Sequence, residues 1–396
     1  MITPGLVEKI GYYTVGDAVY YAKSDALAAG GGKKNQVQWH LNDKIYSLYD
    51  WTKEPEPHLG IDEFYRRRAQ QIRDKYDYLV LMYSGGPDSQ NILETFVDNG
   101  IYIDEIVNVN SYASTGVEQG TIHNADYIHN VKPTLERLLA QKNLQSRITI
   151  LDEIDLCKQH IDRYQRRGHQ EILVEQGSIA TFPYRPYVLK HLPHVWSKII
   201  SGIKVGMIVG SDKPRVIVTN GRWATNFYDA LVGNYGLAAS SDADLGAIDA
   251  WEFFYWSPDA VELQIKQLQV LRKFMMSNHD LGNYVTEKQL AFSSQSVNDH
   301  RAAHTCQSKT LDLHLNYHQY HRLIYPRLKI NFVTHKSSNG MLKPDMFWFE
   351  KIRQTDAKYL EYSIRDWMKK NPQFVSANEV QKGSWPIFQT QPIYIE

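Results

Sequence analysis

The chain has 396 residues, of which 43% are hydrophobic, and this is long enough for more than one compact unit with a buried core. Lys and Arg number 44, as do Asp and Glu, so a net charge of zero gives no electrostatic indication of a nucleic-acid or membrane partner. Two widely spaced cysteines, Cys157 and Cys306, exclude a disulfide framework and a four-cysteine zinc site. Because there is no long apolar run and no signal-peptide pattern, the sequence favours a soluble, cytoplasmic protein.

Residues 1–60 predict a small N-terminal α+β segment, in which short aromatic runs alternate with turn residues. A helix is predicted to follow from Asp62, with apolar side chains recurring on one face. The run Arg66-Arg67-Arg68 lies on this helix. It could contact phosphate, but a solvated helix face is the favoured interpretation.

The segment from residue 78 to residue 151 alternates between strand and helix patterns. The apolar run at 78–83 is typical of a strand buried on both faces of a parallel sheet. A helix at 88–99, ended by Gly100, and a strand at 101–110 follow. A long helix near 121–142, interrupted at Pro133, then precedes a strand at 148–151. This alternation predicts a doubly wound α/β sheet.

Further strands are predicted at 205–209 and 215–219, the second of them ending in the hairpin dipeptide Asn220-Gly221. Ser257 and Pro258 indicate the start of another helix. We therefore predict an α/β domain over residues 61–220 and a mostly helical substrate or interface portion over 221–396. The 26 tyrosines and 9 tryptophans favour flat contact surfaces, as in a ligand cleft or a homodimer interface.

The turn that joins the first strand to its helix has the sequence Ser84-Gly85-Gly86-Pro87-Asp88-Ser89. Two glycines let backbone N–H groups approach an anion, and the helix N-terminus adds a partial positive charge. Asp88 places a negative charge beside a bound phosphate, a conflict that a bridging Mg²⁺ would resolve. The alternative is an ordinary capped strand-to-helix turn.

With the preceding Met82-Tyr83, this turn resembles the S-G-G-x-D-S motif of the PP-loop ATP pyrophosphatases, a superfamily that includes asparagine synthetase and PAPS reductase. The resemblance covers roughly residues 76–220 and implies a sheet of five parallel strands in the order 3-2-1-4-5, with ATP and Mg²⁺ at the carboxyl ends. The residues that it implies for the pyrophosphate are Ser84, Gly85, Gly86, Asp88 and Ser89, with Asp88 also at the metal.

The resemblance also implies an adenosine site at the end of the second strand, flanked by Asn108, Asn110 and Ser111. A second basic element often reaches the phosphates from later in the sheet in this superfamily. Lys213 and Arg215 are the candidates here, and they would stabilise negative charge as pyrophosphate leaves. An ordinary turn between two strands is an equal alternative for these two residues.

The implied chemistry is the transfer of AMP to an oxygen of an unidentified small-molecule acceptor, as in asparagine synthetase-like ligases. A glutaminase is not expected, because Ile2 occupies the position of the nucleophilic cysteine in that domain. One alternative is PAPS reductase-like sulfur chemistry, although the residues around Cys306 do not match the reductase pattern. Another is a non-catalytic sensor or assembly protein that binds ATP.

Histidines are concentrated between residues 300 and 321. His314, His318 and His321 are spaced so that they would share one helix face, where three imidazoles could bind zinc. A solvated or stacked histidine face is the favoured interpretation.

Overall fold

The computed structural model describes residues 11–21, 25–26, 29–31, 34–41, 49–52, 59–110, 127–141, 144–152, 189, 191–210, 215–227, 229, 251–255, 257–277, 291–292 and 388–396. Its strands are β1 Gly11–Val15, β2 Ala18–Tyr20, β3 Gln38–Leu41, β4 Tyr78–Met82, β5 Glu105–Asn110, β6 Arg147–Asp152, β7 Val205–Val209, β8 Arg215–Thr219, β9 Arg222–Asn226, β10 Trp251–Phe253, β11 Ala291–Phe292 and β12 Ile393–Tyr394. Its α-helices are α1 Ile61–Lys75, α2 Pro87–Asp98, α3 Lys132–Gln141, α4 Pro193–Ile200 and α5 Val261–Ser277.

A five-stranded sheet in the order β6-β5-β4-β7-β10 forms the centre of the fold. All of its neighbouring strands are parallel. The chain runs outward from β4 through β5 to β6, and then returns to the other side of β4 to form β7 and β10. This confirms the α/β class, and it puts the reversal of strand order between β4 and β7, where α/β sheets generally bind ligands.

Strand β4 and helix α2 form as their sequence pattern predicts. The apolar run Leu79-Val80-Leu81 is fully buried, as expected of a strand covered on both faces. Helix α2 begins with Pro87 and buries Ile92, Leu93 and Phe96 on its apolar face. Gly100, at φ 65°, follows its end, and the next residue donates its N–H to the carbonyl of Phe96.

Helices cover both faces of the sheet. Tyr78 and Tyr83 are an odd number of residues apart in one extended segment, so their side chains point to opposite faces. The hydroxyl of Tyr78 donates to Glu105, 3.0 Å away, and that carboxylate lies 2.7 Å from Nε2 of His194 in α4. The hydroxyl of Tyr83 donates to Gln90 in α2. Helices α2 and α4 therefore pack on opposite faces.

The dipeptide Asn220-Gly221 forms the predicted hairpin turn, with φ angles of 52° and 72°. The turn joins β8 to β9 in a second sheet, whose order is β11-β8-β9-β12 and whose pairs are antiparallel. Strands β1, β2 and β3 form a third, antiparallel sheet in the N-terminal segment.

The fifth parallel strand, β10, comes from beyond residue 220, the end of the α/β domain predicted from the sequence. Strand β8 lies within that range but pairs in the separate antiparallel sheet. In the portion after residue 220, the described elements are four strands as well as α5 and a 3-10 turn at Pro258–Ala260. None of the helices in the described ranges is long and apolar enough to cross a membrane.

Candidate functional site

The turn between β4 and α2 is shaped by its two glycines. Gly85 has a φ of 76°, which lies in the left-handed region that favours glycine. Gly86 is extended at the N-cap position and, as a glycine, has no side chain with which to cap the helix. The helical hydrogen bonds begin with the N–H of Gln90, which donates to the carbonyl of Gly86 at 3.0 Å. In a helix that begins at the carboxyl edge of a sheet, the first-turn N–H groups point back toward that edge, where they can bind an anion; here they are those of Asp88 and Ser89, because Pro87 has none.

The hydroxyls of Ser84 and Ser89 form hydrogen bonds within the turn. The Oγ atoms of Ser84 and Ser89 lie 3.2 Å apart. The Ser89 hydroxyl donates to the carbonyl of Gly86 at 3.1 Å, and Ser84 Oγ accepts from the N–H of Gly86 at 3.4 Å. Ser84 is exposed whereas Ser89 is buried. Ser84 can thus reach a ligand directly, while Ser89 mainly shapes the turn.

Asn108, in the second half of β5, is hydrogen-bonded to Tyr83, the residue directly before the turn. Its side-chain amide donates to the carbonyl of Tyr83 at 2.8 Å. Its Oδ1 is buried and finds no hydrogen-bond partner among the residues that the structure describes. A buried acceptor without a donor costs free energy, so this atom is suited to accept a hydrogen bond from a group that enters the site.

Behind the turn, a chain of polar contacts runs from Tyr83 to the protein surface. The Tyr83 hydroxyl donates to Gln90, whose amide donates to Glu94 at 2.9 Å. Arg137 of α3 pairs with the same carboxylate, which is fully buried. Burial raises the pKa of Tyr83 above its usual value, so the hydroxyl remains a hydrogen-bond donor. The sequence contains no motif for this network, which joins three separate segments.

Two residues distant in sequence touch the first turn of α2. A Cβ atom added at Gly210, directly after β7, would lie 3.1 Å from Cβ of Asp88 and 3.1 Å from Cδ1 of Ile92. Only a glycine permits this close approach without displacing its neighbours. The hydroxyl of Tyr255, which follows β10, donates to the main-chain carbonyl of Asp88 at 2.8 Å. Sequence reasoning identified neither contact.

The structure brings most of the predicted residues together. Ser84, Gly85, Gly86, Asp88 and Ser89 form the turn and the first turn of α2, and Asn108 is joined to them through Tyr83. Asn110 ends β5, where its backbone pairs with Asp152. Arg215 begins β8, opposite Asn226 in β9.

The other sequence candidates lie outside the described residues. They are Ser111, Lys213, Cys157, Cys306 and the histidines between 300 and 321, together with the side chains of Asn110 and Arg215. Within the described ranges, no group of three or more His, Cys, Asp or Glu side chains is placed to hold a metal ion. Asp88 supplies one carboxylate at the start of α2, and Mg²⁺ is commonly bound by one or two carboxylates together with substrate phosphates and water.

The sequence matches none of the protein-family models and none of the curated proteins with which it was compared. The resemblance to the PP-loop superfamily therefore depends on the motif between Ser84 and Ser89 and on the sheet edge at which the structure holds it.

Proposed function

We propose that the chain is an ATP-dependent enzyme that transfers AMP to a substrate oxygen and releases pyrophosphate. The observation that supports it best is the position of the Ser84–Ser89 turn. A glycine-rich turn with an uncapped helix N-terminus lies at the carboxyl end of β4, beside the end of β7, where the strand order reverses. The order of the described parallel strands, β6-β5-β4-β7-β10, also supports the proposal, because it is compatible with the order 3-2-1-4-5 that the PP-loop resemblance implies.

In this proposal, Gly85, Gly86 and Ser84 bind the pyrophosphate part of ATP through main-chain N–H groups and a hydroxyl. Asp88 lies half-buried at the start of α2 and supplies one carboxylate to a magnesium ion. A carboxylate completed by phosphate oxygens is a donor set that fits Mg²⁺, which when bound would supply positive charge against the phosphates of the nucleotide. Asn108 lies beside the adenosine, where its buried Oδ1 can accept a hydrogen bond.

The reaction replaces one bond to phosphorus with another. An oxygen of the acceptor bonds to the α-phosphorus, while the bond from that phosphorus to the oxygen bridging to the β-phosphate breaks. Pyrophosphate leaves with that electron pair. The first-turn N–H groups of α2 stabilise its negative charge, and we assign the same role to Lys213 and Arg215. A second nucleophile then displaces AMP from the acceptor.

The test is to incubate the pure protein with α-labelled ATP, Mg²⁺ and a metabolite extract, and to separate AMP from ADP. We expect AMP and pyrophosphate from the wild type and no AMP from Asp88→Ala. Asp98→Ala is the matched control, because it removes the same side chain at the exposed opposite end of α2. ADP alone, or no turnover despite ATP binding, would refute the adenylation proposal and favour a sensor or assembly role.

Cys306→Ser distinguishes the sulfur alternative. Turnover that survives this substitution supports AMP transfer to oxygen. Turnover that is lost, with folding and ATP binding intact, favours sulfur transfer or sulfonucleotide reduction.

A further inference from the structure

The first turn of α2 is hydrogen-bonded to a residue that follows β10, an edge strand of the central sheet. Tyr255 follows β10, and its hydroxyl donates to the carbonyl of Asp88 at 2.8 Å. The same hydroxyl accepts a hydrogen bond from the side-chain amide of Asn91 at 2.9 Å. Both contacts fall within the first turn and a half of α2. The hydroxyl therefore bonds one main-chain and one side-chain group of the helix that follows the candidate phosphate turn.

Tyr255 is itself held rigidly. Its ring lies edge-on to Tyr65, with ring centroids 5.6 Å apart, and edge-on to Phe254, at 5.1 Å. Its side chain is fully buried. Burial, followed by the nearby Tyr65 and Asp88, raises the pKa of Tyr255 well above its usual value, so the hydroxyl stays protonated as a donor.

Ion pairs hold strand β10, which precedes Tyr255, against helix α1. Glu252 of β10 is buried and pairs with Arg68 at 2.5 Å and with Lys75 at 2.8 Å. Arg68 also donates to the carbonyls of Phe253 and Phe254, at 2.8 and 3.2 Å. Tyr255 thus follows a short strand, β10, whose position relative to α1 is set by the ion pairs that Glu252 forms with Arg68 and Lys75.

We propose that Tyr255 is the positioning residue of the candidate phosphate turn: it holds the first turn of α2 through a main-chain carbonyl and does not occupy the N–H groups of that turn. Gly86, at the N-cap position, has no side chain with which to hold the first-turn N–H groups of α2. The bond to the Asp88 carbonyl fixes the orientation of the first turn, so its N–H groups keep one direction toward a bound phosphate and the Asp88 carboxylate keeps one direction toward the metal ion that would bridge to it. This role rests on the proposed ATP site, although the anchoring itself can be measured without nucleotide.

The test compares Tyr255→Phe with wild type and with Tyr65→Phe, which removes a hydroxyl from the same aromatic cluster. Amide hydrogen exchange is measured on peptides covering residues 83–93 in the nucleotide-free protein, and ATP–Mg²⁺ affinity is measured by calorimetry. We expect exchange in this segment to accelerate and affinity to fall, each by about two- to tenfold in Tyr255→Phe, the effect of one lost hydrogen bond. Tyr65→Phe should change neither.

The outcomes separate the two proposals. If the wild type binds no ATP, the proposed function fails, while the exchange comparison still decides whether Tyr255 anchors the turn. Unchanged exchange in a folded Tyr255→Phe protein would overturn the anchoring, and unchanged affinity despite faster exchange would overturn the positioning role.

Should Tyr255→Phe fail to fold, Asn91→Ala keeps the ring of Tyr255 and removes the amide that donates to its hydroxyl. Faster exchange at 83–93 in that variant would support the anchor, and unaltered exchange would refute it.

Discussion

The buried carboxylate of Glu252 should stabilise the fold strongly and in a pH-dependent way. It accepts hydrogen bonds from Arg68, Lys75 and the Tyr76 hydroxyl at 2.5 to 2.8 Å. Glu252→Gln preserves the size of the side chain and removes its charge. Arg68, with a side chain 1% exposed, would then be buried without its counterion.

The magnitude follows from the pKa of the carboxyl group. Burial alone would raise this pKa, but Arg68 and Lys75 lower it from 4.5 to about 2. Each pKa unit corresponds to about 1.4 kcal/mol, so the charged form adds about 3 kcal/mol to the free energy of unfolding at neutral pH. The usual cost of breaking a buried ion pair, about 3–5 kcal/mol, is of the same size.

The assay is urea denaturation of the wild type and Glu252→Gln at a series of pH values. Because the carboxyl pKa is lower in the folded protein than in the unfolded chain, its contribution is complete above pH 4.5 and declines as the pH falls toward 2. The difference in unfolding free energy between the two proteins should be about 3 kcal/mol at pH 7 and about 1 kcal/mol at pH 3.

Glu63→Gln is the matched control. Side-chain hydrogen bonding to Arg66 lowers the pKa of Glu63 to about 2 as well, but this ion pair lies on the solvent side of α1. Exposed ion pairs contribute little, so we expect less than about 1 kcal/mol from this substitution. A difference for Glu252→Gln that equals the control, or that does not shrink between pH 4.5 and pH 3, would refute the reasoning.

Two further substitutions test other parts of the structure. Gly210→Ala should weaken ATP–Mg²⁺ binding in calorimetry by about tenfold, because its Cβ would press on Asp88 and overpacking costs about 1–3 kcal/mol; unchanged affinity would show that the turn tolerates the shift. Gly221→Ala should lower the free energy of unfolding by about 1 kcal/mol, since φ is 72° at this hairpin position. A urea midpoint equal to that of the wild type would contradict the second expectation.

The sequence by itself determined the features that depend on neighbouring residues. Buried strand β4, the end of α2 shortly before Gly100 and the hairpin at Asn220-Gly221 each follow from local apolar patterning or from a glycine at a turn, and the structure confirms them. The motif between Ser84 and Ser89 was visible for the same reason, because its residues are contiguous and its chemistry is that of a strand-to-helix turn.

Only the tertiary structure decided what distant segments contribute. Arg66, Arg67 and Arg68 are equivalent in the sequence, yet the first two pair with Glu63 on the surface and the third is buried against β10. The anchor from Tyr255 to Asp88 joins residues 167 positions apart. Such contacts depend on which strand completes the sheet, and the pairing of β10 with β7 is set by long-range packing and not by any local pattern.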